Sequence, residues 1–322
     1  MEARGKSHCL RMRIVFIGTG DIGVPTLTAL LSAPSHEVVA VVAQPDKPVG
    51  RKQVLTPPRT KEVAMAAGIP VLQPPRIRLA VEELAALSAD VFVVIAYGQI
   101  LPRTVLSLPR LGCLNIHASL LLRHRGAAPI QAAIRDGDAE SGVTVMWMDE
   151  GLDTGDALLE TRLPLRTDHT GGVLHDELAE LAPHALLRAL ELIAAGTAPH
   201  LPQDHARATH TGKLERAHGH LQWSRPAVEL ERLIRAYQPW PGTFAWIPLP
   251  DGGAMNLKVH RACLTDGTAP AAGTILEAGS RLVVSCGEGA LELLEVQLEG
   301  KKRMIARDFL HGHPLAVGTA LA

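Results

Sequence analysis

Cysteine is scarce in this chain of 322 residues, and the four present, Cys9, Cys113, Cys263 and Cys286, are scattered, with no Cys-x-x-Cys pair and no His/Cys group at zinc spacing. That pattern argues against a disulfide framework and a structural metal, and it suits a reducing cytoplasmic compartment, so no metal is expected. Aromatic residues make up only 3% of the chain against a hydrophobic content of 47%, so the interior has to be built from Val, Leu, Ile and Ala. An excess of either charge is missing as well. A formal net charge of -1 argues against a protein that coats nucleic acid nonspecifically, although it leaves room for a local basic patch. No apolar run approaches the length of a membrane span, and the polar, basic start lacks a signal-like core. A soluble monomer with no membrane partner is the expectation, with residues 1–12 an N-terminal extension and Met12 the natural start.

What is present reads first as alternation. Residues 13–18 form a short buried strand that leads into a Gly turn, a helical pattern over 24–33 and a β-branched run over 37–43. Further strands are expected at 71–72, 91–96, 113–117 and 142–148, with helices near 58–67, 81–88 and 129–136. Such alternation predicts a Rossmann-like α/β domain around a parallel sheet covered on both faces. A β segment over 156–164 and a long Leu/Ala-rich helix over 172–195 follow. The length favours two domains, and we place the catalytic domain at 13–206 and a linker rich in His, Thr and charge at 207–218. The C-terminal domain at 219–322 opens with a helix over 226–236. Short strands then fall at 244–247, 257–262, 274–276, 281–285 and 290–298, separated by Gly, Pro and Asp turns, which suggests a small β-barrel.

The chemistry concentrates in Cys113-Leu-Asn-Ile-His117 and in the turn Gly151-Leu-Asp-Thr-Gly155. Residues i and i+2 of a strand point the same way, so the Asn115 amide and the His117 imidazole can converge on one small site, with the Asp153 carboxylate nearby. A donor, an acid/base and a carboxylate together can act on an acyl group whose oxygen gains negative charge while an amine sheds a proton. Taken singly, each residue is more often a turn former or a surface group. The small residues, arginines and glycine of the following run, 118–129, change that balance, because ligands of open α/β sheets sit over the carboxyl ends of the strands.

Gly18-Thr-Gly20-Asp-Ile-Gly23 matches the dinucleotide-binding fingerprint in the expected place, which leaves a nicotinamide-linked oxidoreductase open. Against it, the second strand runs into Gln44-Pro-Asp46 and a basic, Pro-rich loop, with Asp46 too far along to hold a ribose. We read the glycines as a tight strand-to-helix turn. A catalytically silent RNA-binding protein is compatible with the basic loop. That loop, from Lys47-Pro-Val-Gly-Arg-Lys52 to Lys61, reads by itself as a solvated surface segment.

Taken in order, Arg13-Ile-Val-Phe-Ile-Gly-Thr-Gly-Asp21, Gln44-Pro-Asp-Lys-Pro-Val-Gly-Arg51, Ala96-Tyr-Gly-Gln-Ile-Leu-Pro102, Asn115-Ile-His117, Arg125-Gly-Ala-Ala-Pro-Ile-Gln131 and Gly151-Leu-Asp-Thr-Gly-Asp156 resemble the methionyl-tRNA formyltransferase family. The resemblance extends through Gln238-Pro-Trp-Pro241 to Gly300-Lys-Lys302. It departs from the family pattern at Gly20 and Ile22, at Leu122-Arg-His124, and at Gln222 before Trp223. Another formyltransferase with the same Asn, His and Asp set, acting on a sugar-nucleotide or ribonucleotide amine, is the nearest alternative, and the basic insert and the C-terminal domain favour tRNA. The resemblance implies an OB-fold-like C-terminal domain that contacts tRNA, 10-formyltetrahydrofolate as cosubstrate, and transfer of its formyl group to the methionine α-amine of initiator methionyl-tRNA. It further implies catalytic roles for Asn115, His117 and Asp153, and folate binding by Ser119, Leu120, Leu121, Leu122, Ile95, Tyr97 and Gly98. Contact with the tRNA acceptor end falls to Lys47, Arg51 and Lys52, with a weaker contribution from Lys301, Lys302 and Arg303.

Overall fold

A computed structural model describes residues 11–50, 52–249 and 252–322. Arg51 and residues 1–10 of the expected extension lie outside the described residues. The first elements are β1 (Met12–Gly18), α1 (Val24–Ser32), β2 (His36–Val42), a hairpin of β3 (Lys47–Val49) and β4 (Val54–Thr56), α2 (Arg59–Ala66), β5 (Val71–Leu72), α3 (Val81–Ala86) and β6 (Val91–Ile95). There follow α4 (Arg103–Leu106), β7 (Cys113–His117), β8 (Arg125–Gly126), α5 (Pro129–Asp136), β9 (Glu140–Trp147), β10 (Ala157–Pro164), α6 (Gly171–Ala194) and β11 (His210–Thr211). The remainder holds α7 (Ala227–Ala236), β12 (Thr243–Pro248), β13 (Ala254–Thr265), β14 (Ile275–Ala278), β15 (Leu282–Ser285), β16 (Ala290–Leu298), β17 (Met304–Ile305) and α8 (Ala306–Gly312). Among the described residues no helix is long and apolar enough to cross a membrane.

The chain divides into two compact units. One comprises the residues up to Gly126, Ser141–Leu163 and His175–His210; the other comprises Ala127–Glu140, Pro164–Leu174 and Thr211–Ala322. In the first, seven strands lie in the order β10-β9-β7-β6-β1-β2-β5. The neighbours from β5 to β7 pair in parallel, as the helical crossovers between them require, and β9 then runs antiparallel to β7. Val15, Ile17, Val42, Phe92, Val94 and Cys113 form a core against one face of this sheet. Register aligns Gly18 with Ile95 and Val94 with Asn115, so β1, β6 and β7 end together at one edge. Gly18 and Gly23 are needed there for close packing. An added Cβ would lie 2.8 Å from the Ile95 carbonyl oxygen at Gly18 and 2.9 Å from Ile95 Cγ2 at Gly23.

In the second unit the strand order is β12-β13-β16-β15-β14, with β17 on β16, and these pairings are antiparallel. Residues 319–322 bridge its two ends: Ala322 N–H donates to the Trp246 carbonyl of β12, while Leu321 N–H donates to Gly273 and Ile275 N–H of β14 donates to Thr319. These bonds tie residues 319–322 to the segments at both edges of the sheet, and Leu257, Val259, Val284, Leu291 and Val296 are buried in this unit.

Candidate active site

β7 delivers Asn115 and His117 to the carboxyl edge of the sheet on the same face, as the period of a strand dictates. Asp153 reaches them from the turn between β9 and β10. Its Oδ1 accepts from Asn115 Nδ2 at 3.2 Å, its Oδ2 accepts from the Gly126 backbone N–H at 2.8 Å, and Oδ2 stands 3.7 Å from His117 Nδ1. The side chains of His117 and Asp153 are only 7% and 11% exposed, which strengthens their electrostatic interaction relative to one in open water. His117 Nε2 lies 2.9 Å from the His124 carbonyl oxygen, a group that can only accept, so this ring nitrogen carries a proton in that contact. The imidazolium alone could donate there and present a second N–H to Asp153. Asn115 spends one amide hydrogen on Asp153 and keeps the other for a ligand, because a primary amide has two.

The Asp153 backbone is held in an unusual state. Its φ is +55°, in the left-handed region, which Asp tolerates better than most residues but still at some cost. Such strain persists where surrounding contacts over-determine it. Gly155 follows because a Cβ there would collide with the Trp147 carbonyl. Thr154 Oγ1 and the Gly151 N–H both donate to Asp149 Oδ1, which tightens the turn from within.

The run after His117 folds back over β9. Ser119 is buried and donates to the Arg123 carbonyl at 2.7 Å, while its own carbonyl accepts from Thr144 Oγ1. Leu121 N–H also reaches Thr144 Oγ1, and Leu120 packs over Gly142. Leu122 is half-buried, and its carbonyl accepts from the Thr209 N–H. Thr209 further accepts from His124 N–H through its hydroxyl and from Arg125 N–H through its carbonyl, so one residue of the stretch expected to be a linker pins the loop 122–125. Neither Thr209 nor the Gly126 N–H carried a sequence signal: a hydroxyl in a polar stretch and a backbone amide look like any other.

At the end of β6, Ile95 and Tyr97 turn their side chains into packed surroundings, both 2% exposed. Burial pushes the Tyr97 hydroxyl up to about 12. What this segment offers to its surface is backbone: Ala96 and Gly98 have φ of +46° and +81°, and the Tyr97 carbonyl accepts from Gln44 Nε2 at 2.9 Å. Asp46, the acidic residue considered for a ribose, is occupied instead. Gln73 Nε2 donates to it at 2.7 Å and Lys61 Nζ at 2.9 Å, and these bonds hold its carboxyl below the usual range.

The basic segment after Asp46 is a hairpin where the sequence suggested a loop. Lys47 and Lys52 are exposed, as are Val49, Val54 and Leu55 at 55%, 59% and 65%. In the second unit, Lys301, Lys302 and Arg303 are exposed on the turn between β16 and β17. Among the described residues no His, Cys, Asp and Glu cluster could hold a metal ion.

Residues 12–190 match the formyl transferase family and residues 213–314 its C-terminal domain. Methionyl-tRNA formyltransferases are similar over nearly the whole chain. That of Ectopseudomonas mendocina is 53% identical over 300 residues, covering 92% of this chain and 93% of its own; that of Marinobacter nauticus is 48% identical over 305 residues, covering 94% and 96%. Among solved structures, the N-formyltransferase of Helicobacter canadensis with folinic acid and dTDP-3-aminofucose superposes with a TM-score of 0.64 at 18% identity, over 88% of this chain and 98% of that one. HypX of Aquifex aeolicus with tetrahydrofolic acid does so at 0.61 and 19%, over 93% of this chain and 47% of that one. These distant likenesses carry the fold alone. With both parts of the chain matched and about half its residues shared with such relatives from end to end, the chain belongs to the methionyl-tRNA formyltransferase family.

Proposed function

We propose that this chain transfers the formyl group of 10-formyltetrahydrofolate to the α-amino group of methionine on initiator methionyl-tRNA, with Asn115, His117 and Asp153 as the catalytic residues. The observation that carries the substrate is identity of 48–53% to methionyl-tRNA formyltransferases across both domains, while sugar N-formyltransferases share the fold at 17–18% identity. The reading includes a cytoplasmic monomer.

A free α-amine has a pKa near 8, so about a tenth is neutral at pH 7 and no strong base is needed to create the nucleophile. Its nitrogen attacks the formyl carbon, and the carbonyl oxygen becomes an oxyanion. The free amide hydrogen of Asn115 stabilises that charge, joined by an N–H of His117 as the ring gives up one of its two contacts, with His124 or with Asp153, and these interactions are the ones strengthened most in the transition state. Asp153 orients both donors, and its carboxylate takes up the proton shed by the attacking amine, directly or through water. The bond from carbon to N10 then breaks, N10 receives a proton, and the formylated amine and tetrahydrofolate are released.

In this reading the folate lies against the loop Ser119, Leu120, Leu121 and Leu122 and the backbone of Ile95, Tyr97 and Gly98. The buried side chains of Ile95 and Tyr97 shape the turn from beneath. The acceptor end of the tRNA meets the basic segment through Lys47, Arg51 and Lys52, and the C-terminal domain contributes Lys301, Lys302 and Arg303. Purified protein, charged initiator tRNA and the formyl folate test the whole reading: N-formylmethionyl-tRNA is the expected product. Formylation of a sugar-nucleotide amine with none on the tRNA would overturn it.

A further inference from the structure

Gln203 occupies a place in the site that its sequence context, Leu201-Pro-Gln-Asp204, does not advertise. Its amide nitrogen donates to the Asp153 carbonyl at 3.1 Å and to the Gly155 carbonyl at 2.6 Å. Its amide oxygen accepts from both Nε and one terminal nitrogen of Arg125, at 3.1 and 2.6 Å. Both amide hydrogens and both acceptor positions are thus used. Arg125 is 2% exposed and also meets His205 Nδ1, and the residue after it, Gly126, is the one whose N–H holds the Asp153 carboxylate. The two ends of Asp153 are therefore fixed by one brace, the backbone through Gln203 and the carboxylate through the Arg125-Gly126 peptide that Gln203 anchors.

We infer that Gln203 is a positioning residue for formyl transfer, acting through Asp153 by holding its left-handed backbone in place. The inference rests on the catalytic reading of Asp153. A left-handed aspartate would relax toward ordinary backbone angles if its carbonyl were released, and its carboxylate would swing away from Asn115 and His117. Replacement of the amide by a carboxylate of the same shape isolates the two donors: Glu at this position keeps the acceptor for Arg125 but turns both donated bonds into repulsion against two carbonyls.

The test compares Gln203→Met and Gln203→Glu with the wild type, each alone and in an Asp153→Asn background. Displacement of a reacting group by about an ångström lowers turnover roughly a hundredfold, so kcat is expected to fall by roughly 10- to 100-fold in either single variant while KM for both substrates holds. The pH profile of kcat should change shape, which loss of folded protein alone would not cause. In the Asp153→Asn background either change should add little. Near wild-type kcat in folded Gln203→Met or Gln203→Glu, or losses that multiply in the double variant, would overturn the inference. If Asp153→Asn alone retained full activity, the catalytic reading of Asp153 itself would fall, and the brace with it; that single variant separates the two failures. Should the Met variant not fold, the Glu variant carries the same comparison.

Discussion

Asp153 and Leu55 belong to the same compact unit, and the fold treats them in opposite ways. Asp153 is 11% exposed in its side chain, strained at its backbone, and tied at carboxylate and carbonyl to three other segments. Leu55 is 65% exposed on a hairpin of two three-residue strands, beside exposed Val49 and Val54. A two-stranded hairpin with no covered face is marginal by itself, and elements with few buried contacts are the ones that move at low cost. The contrast fits the two tasks proposed for these regions. Groups that stabilise a transition state gain from fixed geometry, since no reorganisation is then needed at the moment of reaction. A surface that must meet a large substrate gains from adaptability, and an exposed apolar patch flanked by lysines has contacts to offer once a partner arrives.

The comparison can be broken most sharply at Asn115. Removal of a preorganised donor to an oxyanion costs about 100- to 1,000-fold in rate, so Asn115→Ala should lose kcat on that scale while folate affinity, read by direct titration, stays close to wild type. A loss that appears in substrate affinity, with kcat preserved, would move Asn115 from the rigid region to the recognition region.

A smaller effect is expected in the basic segment that follows Asp46. Arg51→Ala should lower kcat/KM for the tRNA by about tenfold, the scale of one hydrogen bond to a charged group, with the folate KM unchanged. The dependence of tRNA binding on log salt should become shallower by about 0.7 to 0.9 for each phosphate contact removed. Kinetics toward tRNA identical to wild type would discard the recognition role.

The smallest effect lies at the root of the hairpin, where Asp46 bonds Gln73 and Lys61 just before Lys47. Its folded carboxyl is held below its ordinary value, so the stability it contributes is present above the usual aspartate range and is lost as pH falls through the depressed value. Thermal melts of wild type and Asp46→Asn should therefore differ near neutral pH and converge in acid, with kcat little changed. A difference that grew on acidification would reverse this assignment.

Much of the fold was legible because it rests on local periodicity. β5 and β7 fall at the residues expected, and α5 and β16 do as well. The reversed direction of β9 was not legible, since a strand's pattern says nothing about its partner's direction. The β3–β4 hairpin hid behind proline and positive charge, and α4, at four residues, is too short to show a helical period. Within the site, Asn115 and His117 announced themselves by spacing, whereas Gln203 sat in a polar, Pro-containing stretch with neither a helical nor a strand period. The Gly18-Thr-Gly20-Asp-Ile-Gly23 turn shows the reverse case, a motif in which Gly18 and Gly23 are explained by contact with Ile95 and Gly20 by contact with Ala96.

The order of residues alone determined the alternation of strands and helices, the two-residue step that puts Asn115 and His117 on one face, and the family resemblance, because each depends on neighbours along the chain. Tertiary structure alone decided that Asp153, 38 positions from Asn115, meets that amide, and that Gln203, 50 positions beyond Asp153, holds its backbone. Contacts across such separations arise only when packing closes the intervening chain into fixed segments, and no local pattern of side chains encodes which carbonyl an amide will find.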